Sequence, residues 1–255
     1  MLLVFDIANT NIKIGLFDGD KLRANWRIST GVHRMADEYG IMLLDLLRHQ
    51  KIAPEEITEG AISCVVPPLL TIFHELMLKY FSVKSLVVGP GVKTGVRIRY
   101  ENPREIGSDL IANAAAALKL YKPPVIVVAL GTATAFATVS RDGDYLGGVI
   151  APGIGISAEA LYTRTAALPR VELVRPKKAI GPNTVSAMQS GIIFGWAGLI
   201  DGIVGRIREE LGEKAMVVAT GGYAGIIAKE SKTIDKVNPD LTLIGIKAIH
   251  DMNKE

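Results

Sequence analysis

Asp6-Ile7-Ala8-Asn9-Thr10 gathers a carboxylate, an amide and a hydroxyl directly behind the apolar run Leu2-Leu3-Val4-Phe5. A buried strand that turns sharply at such residues can aim backbone N–H groups and the Asn9 and Thr10 side chains at a phosphate, while Asp6 holds Mg²⁺ through water. The same residues suit a plain hairpin corner with Asp6 satisfied by local N–H groups, and the segment alone favours neither reading. Gly131-Thr132-Ala133-Thr134 repeats small and hydroxylated residues behind a second apolar run, Val125 to Leu130, so a nucleotide's phosphates could be held between two such corners. No P-loop with a Gly-Lys-Ser/Thr ending is present, so any nucleotide needs another architecture.

Gly107-Ser108-Asp109 stands just before the alanine-rich run Ile111 to Leu120. A carboxylate at a helix start meets the positive end of the macrodipole, so Asp109 is expected to stay ionised and can take a proton from a substrate hydroxyl. In phosphoryl transfer such a base need only orient the alcohol and accept its proton late. From these residues alone, an ordinary helix cap is the commoner role for an Asp. Gly147-Gly148-Val149-Ile150-Ala151-Pro152-Gly153 and Ala219-Thr220-Gly221-Gly222 are glycine-rich strand ends that would let backbone approach a flat ligand such as adenine, although a plain turn needs glycine as much. His33, His49, His74 and His250 form no metal or triad spacing.

The elements that must position these residues read as alternating strands and helices. Leu2 to Phe5 is a buried strand, Ile12, Ile14 and Leu16 alternate with less apolar residues, Asp18-Gly19-Asp20 is a turn, and Leu22, Ala24, Trp26 and Ile28 continue the period of two. Met35, Tyr39, Met42, Leu43, Leu46 and Leu47 share one helical face. A strand at Ala61 to Val66, a helix opened by Pro67-Pro68 and a strand at Leu86 to Val88 follow. The opening meander recurs 123 residues later, with Arg141-Asp142-Gly143-Asp144 as its turn and Leu146 expected opposite Leu22 in the comparison. Two similar α/β domains are therefore expected, divided at 1–120 and 121–255. From Asn183 to Leu211 a long helix is predicted, capped by Asn183 or Thr184. Gly191, Gly195, Gly198, Gly202 and Gly205 within it each cost about 1 kcal/mol of helix propensity. Close packing against another helix, in the chain or across a dimer, is expected to offset them.

The 255 residues are 49% hydrophobic and 22% charged, with a net charge of +3, which fits an ordinary globular protein. Charges of both signs are scattered and no basic cluster is interleaved with aromatics, so no nucleic-acid partner is expected. Cys64 is the single cysteine, which rules out an intramolecular disulfide and a cysteine-rich zinc site. The N-terminus lacks the basic leader of a signal peptide, and no uninterrupted apolar stretch of membrane-spanning length is seen. A cytoplasmic protein with no membrane partner is expected.

In their order along the chain these segments resemble the type III pantothenate kinases. The resemblance rests on Asp6-Ile7-Ala8-Asn9-Thr10 for Asp-x-Gly-Asn-Thr, Gly107-Ser108-Asp109-Leu110 for Gly-x-Asp-Arg, and the Gly-Thr-Ala-x-Thr type element from Gly131. Gly147-Gly148-x-x-Ala151-Pro152-Gly153, Leu168-Pro169-Arg170-Val171 and Gly181-x-Asn183-Thr184 running into Met188-Gln189-Ser190-Gly191 reinforce it. It implies two duplicated ribonuclease H-like domains of the sugar kinase/Hsp70/actin type with an ATP cleft, a homodimer, ATP with Mg²⁺, and phosphorylation of pantothenate to 4'-phosphopantothenate, the first step of coenzyme A biosynthesis. ATP and Mg²⁺ would be contacted by the first loop, Asp6, Ile7, Ala8, Asn9, Thr10, Asn11, Ile12 and Lys13, and by Thr132. Asp109 would be the base. Tyr100, Gly107, Ser108, Asp109, Leu110 and Thr184 would hold pantothenate, Thr184 from the dimer-related copy. Ala8 replaces a glycine of the family pattern, Leu110 an arginine, Ala135 a threonine and Ala137 an aspartate. Ala129 stands where the family has an aspartate that binds K⁺ or NH₄⁺, so the protein-held monovalent cation site is expected to be lost or badly weakened. The resemblance thus leaves three readings: a kinase with weakened activity, a catalytically impaired binding or regulatory dimer, and a kinase for another small alcohol.

Overall fold

In the computed structural model, which describes residues 1–254, strand β1 (Leu2–Ile7) is buried along its whole length. It pairs antiparallel with β2 (Asn11–Asp18) on one side and parallel with β4 (Glu59–Cys64) on the other. A central strand covered on both faces reads as a continuous apolar run, which explains why the single carboxylate of β1, at Asp6, stands out. β3 (Lys21–Ser29) extends the meander, helix α1 (Ala36–His49) precedes β4, α2 (Pro67–Phe81) follows it, and the short β5 (Leu86–Val87) completes a sheet of order β3-β2-β1-β4-β5. Met35 lies outside α1 as its N-cap residue, exposed, with its N–H donating to Glu38 Oε2 at 2.8 Å. The helical face is carried instead by Ala36, Tyr39, Gly40, Leu43 and Leu47.

Leu3, Phe5 and Ile7 point into a core built with α1 and α2, where Phe73 stacks edge-on against Phe5 at 5.0 Å. By the two-residue period of a strand, Leu2, Val4 and Asp6 face the opposite side. There lie α3 (Ser108–Leu120), which begins after the two-residue strand β6 (Arg97–Ile98), and the C-terminal helix (Leu241–Asp251). The first compact unit comprises Met1–Gly95, Asn102–Ala116 and the segment from Thr242 onward.

The second unit, Val96–Glu101 and Ala117–Leu241, repeats the plan. Strands β7 (Val125–Leu130), β8 (Ala133–Val139) and β9 (Asp144–Pro152) form its meander. Helices α4 (Ile154–Thr163) and α5 (Thr184–Leu211), strand β10 (Met216–Thr220), the single turn α6 (Ala224–Ile227) and β11 (Lys236–Val237) follow, and α7 (Leu241–Asp251) ends the chain. The sheet order is β11-β10-β7-β8-β9-β6. β7 stands in it as β1 does in the first sheet, antiparallel to β8 and parallel to β10. Both meanders even carry a register shift at one place, Leu16/Phe17 and Thr138/Val139.

Register corrects one detail of the repeat. Phe17 pairs with Leu22 and Val139 pairs with Tyr145, so Tyr145, not Leu146, is the counterpart of Leu22. The corner after β7 is one residue shorter than that after β1, because Leu130 pairs with Thr134 whereas Ile7 pairs with Ile12.

In α5 the Asn183 side chain caps by accepting from the Ser186 N–H at 2.9 Å, and Gly212 closes the far end in a left-handed conformation. Packing of its glycines within the chain does not occur: a Cβ on Gly191, Gly195, Gly198, Gly202 or Gly205 would meet nothing within 4 Å. The opposite face packs Ile192, Ile193, Ile200, Val204 and Ile207 into the second core. α5 is long and apolar enough to cross a membrane by length and composition alone, although Asp201 and Arg206 interrupt its apolar run.

Candidate active site

Asp6 sits in a row across the first sheet. Its direct partners are Lys13 on β2 and Ser63 on β4, and all three side chains share the face toward α3 and α7. Asp6 is 6% exposed. Burial pushes its carboxyl up to about 7 against the opposing charge of Lys13, with a further upward contribution from Asp109.

Asp109 reaches this row from the head of α3. The Gly107 carbonyl closes the first turn by accepting from the Leu110 N–H at 3.0 Å and the Ile111 N–H at 3.2 Å. Ser108 instead turns its hydroxyl to β4: Ser63 Oγ lies 2.9 Å from Ser108 Oγ, and the Cys64 N–H donates to Ser108 Oγ at 3.1 Å. A Cβ on Gly107 would fall 2.4 Å from Asp109 Oδ1, so glycine leaves room for the carboxylate to lie back over the helix start. Burial raises the Asp109 carboxyl above its ordinary range, opposed by backbone N–H groups at the head of α3 and by Lys13. The sequence argument from the macrodipole alone gives the opposite direction, because it leaves out the desolvation that the sheet imposes.

The corner after β1 is closed by the Ala8 N–H to the Asn11 carbonyl at 3.2 Å. It is braced by Thr30, whose hydroxyl donates to the Ala8 carbonyl at 2.6 Å and whose N–H donates to the Thr10 carbonyl at 3.1 Å. Ile7 and Ile12 are fully buried and anchor the corner, leaving Asn9 and Thr10 exposed. Ala8 has no left-handed backbone, the non-glycine residues with positive φ being Lys51 and Ser82 among the described residues, so its methyl group introduces no backbone strain.

The equivalent row of the second sheet is different in kind. Ala129 lies between Ala135 on β8 and Thr220 on β10, and Thr220 Oγ1 is buried with no hydrogen-bond partner among the described residues. Ala137 is fully buried. These residues offer no carboxylate, and the row does not fit a protein-held K⁺ or NH₄⁺. The first row does fit a hydrated Mg²⁺, since a cation beside Asp6 would offset the burial that raises its carboxyl and the smaller repulsion from Asp109. No group of three His, Cys, Asp or Glu residues able to ligate a metal directly occurs among the described residues.

Thr132, Tyr100 and Thr184 belong to the second unit. Thr132 is half-buried in a corner so close to Gly153 that a Cβ there would lie 2.1 Å from the Thr132 carbonyl oxygen. Tyr100, 41% exposed, lies over Gly147, where a Cβ would be 3.3 Å from its ring. Thr184 lies in the first turn of α5 and lines a cavity of about 720 Å³ with Leu161, Leu168, Met188, Ile192 and Trp196. The structure thus brings together Asp6, Lys13, Gly107, Ser108 and Asp109, and adds Ser63, which sequence reasoning missed. A lone polar residue inside the apolar run Ala61 to Val66 was its only signal.

Two units with matching meanders, each closed by parallel strands, define an α/β protein of the sugar kinase/actin class. A Campylobacter jejuni protein assigned to the Baf family of transcriptional activators shares the fold at a TM-score of 0.62 and 19% identity, covering 98% of each chain. A Sinorhizobium meliloti protein assigned as a 2-dehydro-3-deoxygalactonokinase does so at a TM-score of 0.60 and 13% identity, covering 99% of this chain and 97% of that one. Within that class the chain belongs to the type III pantothenate kinase family, whose model matches residues 2–206. It is 53% identical over 253 residues to the type III pantothenate kinase of Dehalococcoides mccartyi, covering 99% of this chain and 98% of that protein.

Proposed function

We propose that the chain transfers the γ-phosphoryl group of ATP to the primary hydroxyl of pantothenate. The observation that carries this reading is the Asp109 carboxylate at the head of α3, facing the buried Asp6–Lys13 row within one unit of a protein of this family. The acceptor hydroxyl passes its proton to Asp109 as its oxygen bonds to the γ-phosphorus, and the bond to the β-phosphate oxygen breaks to release ADP. An upward-shifted carboxyl is the better proton acceptor. Lys13 and the exposed corner residues Asn9 and Thr10 hold phosphate oxygens, with Thr132 adding a further hydroxyl. Asp6 would hold Mg²⁺ through water, and the ion when bound would supply charge neutralisation to the phosphates. Tyr100, Gly107, Ser108, Leu110 and Thr184 orient the acceptor.

The working form is a cytoplasmic homodimer in this reading. The exposed glycine side of α5, with nothing of its own chain within 4 Å of the missing Cβ positions, supports a second copy packing there. The alanine row at Ala129 supports turnover that does not depend on K⁺ or NH₄⁺ and is slowed, since losing one electrostatic contact commonly costs about 10² to 10³ in rate. The same row, with Leu110, favours a second reading as an impaired binding dimer. One assay separates the two: purified protein with ATP, Mg²⁺ and pantothenate, with and without K⁺ or NH₄⁺, following ADP and phosphopantothenate. Pantothenate-dependent ADP formation is the expected result. Nucleotide binding without turnover would replace the kinase reading by the second, and turnover only with another alcohol would move the acceptor.

A further inference from the structure

We infer that Ser108 is a positioning residue for Asp109, tied by Ser63 to the sheet row that carries Asp6 and Lys13. This rests on the reading of Asp109 as the proton acceptor.

A serine that serves as an N-cap spends its oxygen on an N–H of the first turn, but at α3 the residue whose carbonyl opens the helix is Gly107, one position earlier. Ser108 Oγ is engaged elsewhere, with Ser63 Oγ at 2.9 Å and the Cys64 N–H at 3.1 Å. The helix closes its own first turn through the Gly107 carbonyl. The hydroxyl pair therefore does not serve the helix as a cap; it fastens the helix start to two consecutive residues of β4. Ser63 is fully buried and stands beside Asp6 in the β1–β4 register. Asp109 is the next residue along from the fastened one. Any slack at Ser108 is transmitted to the carboxylate.

The duplicated row in the second unit supplies an internal comparison. Thr220 occupies the place of Ser63, its hydroxyl is buried without a partner, and its neighbour is Ala129 instead of a carboxylate. The hydroxyl is thus matched by a helix-borne partner in the row that carries charge. Gly107 completes the arrangement by leaving space for Asp109 Oδ1.

A misplacement of about 1 Å at a reacting group can cost on the order of 10² in rate. Ser108→Ala is therefore expected to lower kcat about ten- to a hundred-fold, with the KM for ATP nearly unchanged. Ser108→Thr, which keeps the hydroxyl, is expected to restore most of it. The loss in Ser63→Ala combined with Ser108→Ala should not exceed that of Ser108→Ala alone, because Ser108→Ala already removes the bond to Ser63 together with that from the Cys64 N–H. Amide hydrogen exchange on the same proteins should quicken at Cys64, Leu110 and Ile111 in Ser108→Ala and remain unchanged in β7 and β10. Losses that multiply in the double variant, an unchanged kcat in Ser108→Ala, or equal loss in Ser108→Thr would overturn the positioning role. If the parent protein shows no pantothenate-dependent turnover, the function proposed above fails on its own account. The exchange measurement then decides the tie: unchanged protection at residues 107–111 overturns it, and selective loosening there supports it.

Discussion

Replacing Asp6 by Asn should stabilise the protein at neutral and alkaline pH and do almost nothing in acid. In the unfolded chain the Asp6 carboxyl ionises near its ordinary value of 3.8, whereas in the folded protein burial holds the proton until about 7. Between those values the folded state binds more protons than the unfolded state, so the stability of the parent falls as pH rises through the interval and levels off above about 7. At about 1.4 kcal/mol for each pH unit of displacement, the total is about 4 kcal/mol. Asn cannot ionise, so the variant escapes this loss. The assay is urea unfolding from pH 4.5 to 8 without divalent metal, in a Trp196→Phe background so that Trp26, paired with Ile14 on β2, reports the first unit. The difference between variant and parent should start at about 1 kcal/mol at pH 4.5 and grow to about 4 kcal/mol by pH 8. Mg²⁺ should shrink it, because a cation near Asp6 favours the ionised form. A difference that stays flat with pH, or one in which the parent gains on the variant as pH rises, would refute the assignment of Asp6 as a carboxylate held against its charge by burial.

Gly107→Ala should lower kcat while leaving the melting temperature close to that of the parent, since the new methyl group meets a carboxylate oxygen of Asp109 that can rotate away. Gly245→Ala should be much more damaging to stability, by roughly 1–3 kcal/mol or more in urea unfolding, because its Cβ would lie 1.8 Å from the Ala112 carbonyl oxygen, where α7 crosses α3. Thr220→Val and Ser63→Ala should have opposite signs in the same assay. Removing the unpartnered Thr220 hydroxyl is neutral or gains about 1 kcal/mol, whereas removing Ser63 Oγ leaves Ser108 with one bond fewer and costs about 1 kcal/mol.

What could be read from the sequence was whatever lies within one hairpin or one helix. The two meanders declare themselves through apolar runs, alternation and Asp-Gly turns, and Asn183 declares the start of α5. The repeat was legible to within a residue; the slip from Tyr145 to Leu146 arose because the shorter corner after β7 and the longer turn at Arg141 to Asp144 offset each other, which only cross-strand pairing exposes. Contacts between distant segments were not legible. Ser63 acquires meaning only when β4 is placed beside β1 and α3 is laid over both. The glycines of α5 predicted close packing, but the sequence could not say that their side of the helix is left bare by its own chain. Nor did any pattern indicate that α7 joins the first unit, where Thr242 Oγ1 donates to Asn113 Oδ1 at 2.9 Å.

The two sheets share one plan and differ in kind at one row. Lys13, Asp6 and Ser63 cross the first; Ala135, Ala129 and Thr220 cross the second in the same register. A buried charged row is costly to fold, and the raised Asp6 carboxyl measures that cost. A row of small apolar residues carries no such penalty. If both rows were structural, the cheaper solution would suit both sheets equally well. The charged row persists where a helix start delivers a second carboxylate, Asp109, fastened to it by Ser108, and that pairing of an unfavourable burial with a dedicated support is what a phosphoryl-transfer site requires. The second row, freed of charge, keeps only a stranded hydroxyl at Thr220. In the proposed reading the carboxylates of the site lie in the first unit, and the side chains of Ala129, Ala135 and Ala137 supply no ligand to a monovalent cation.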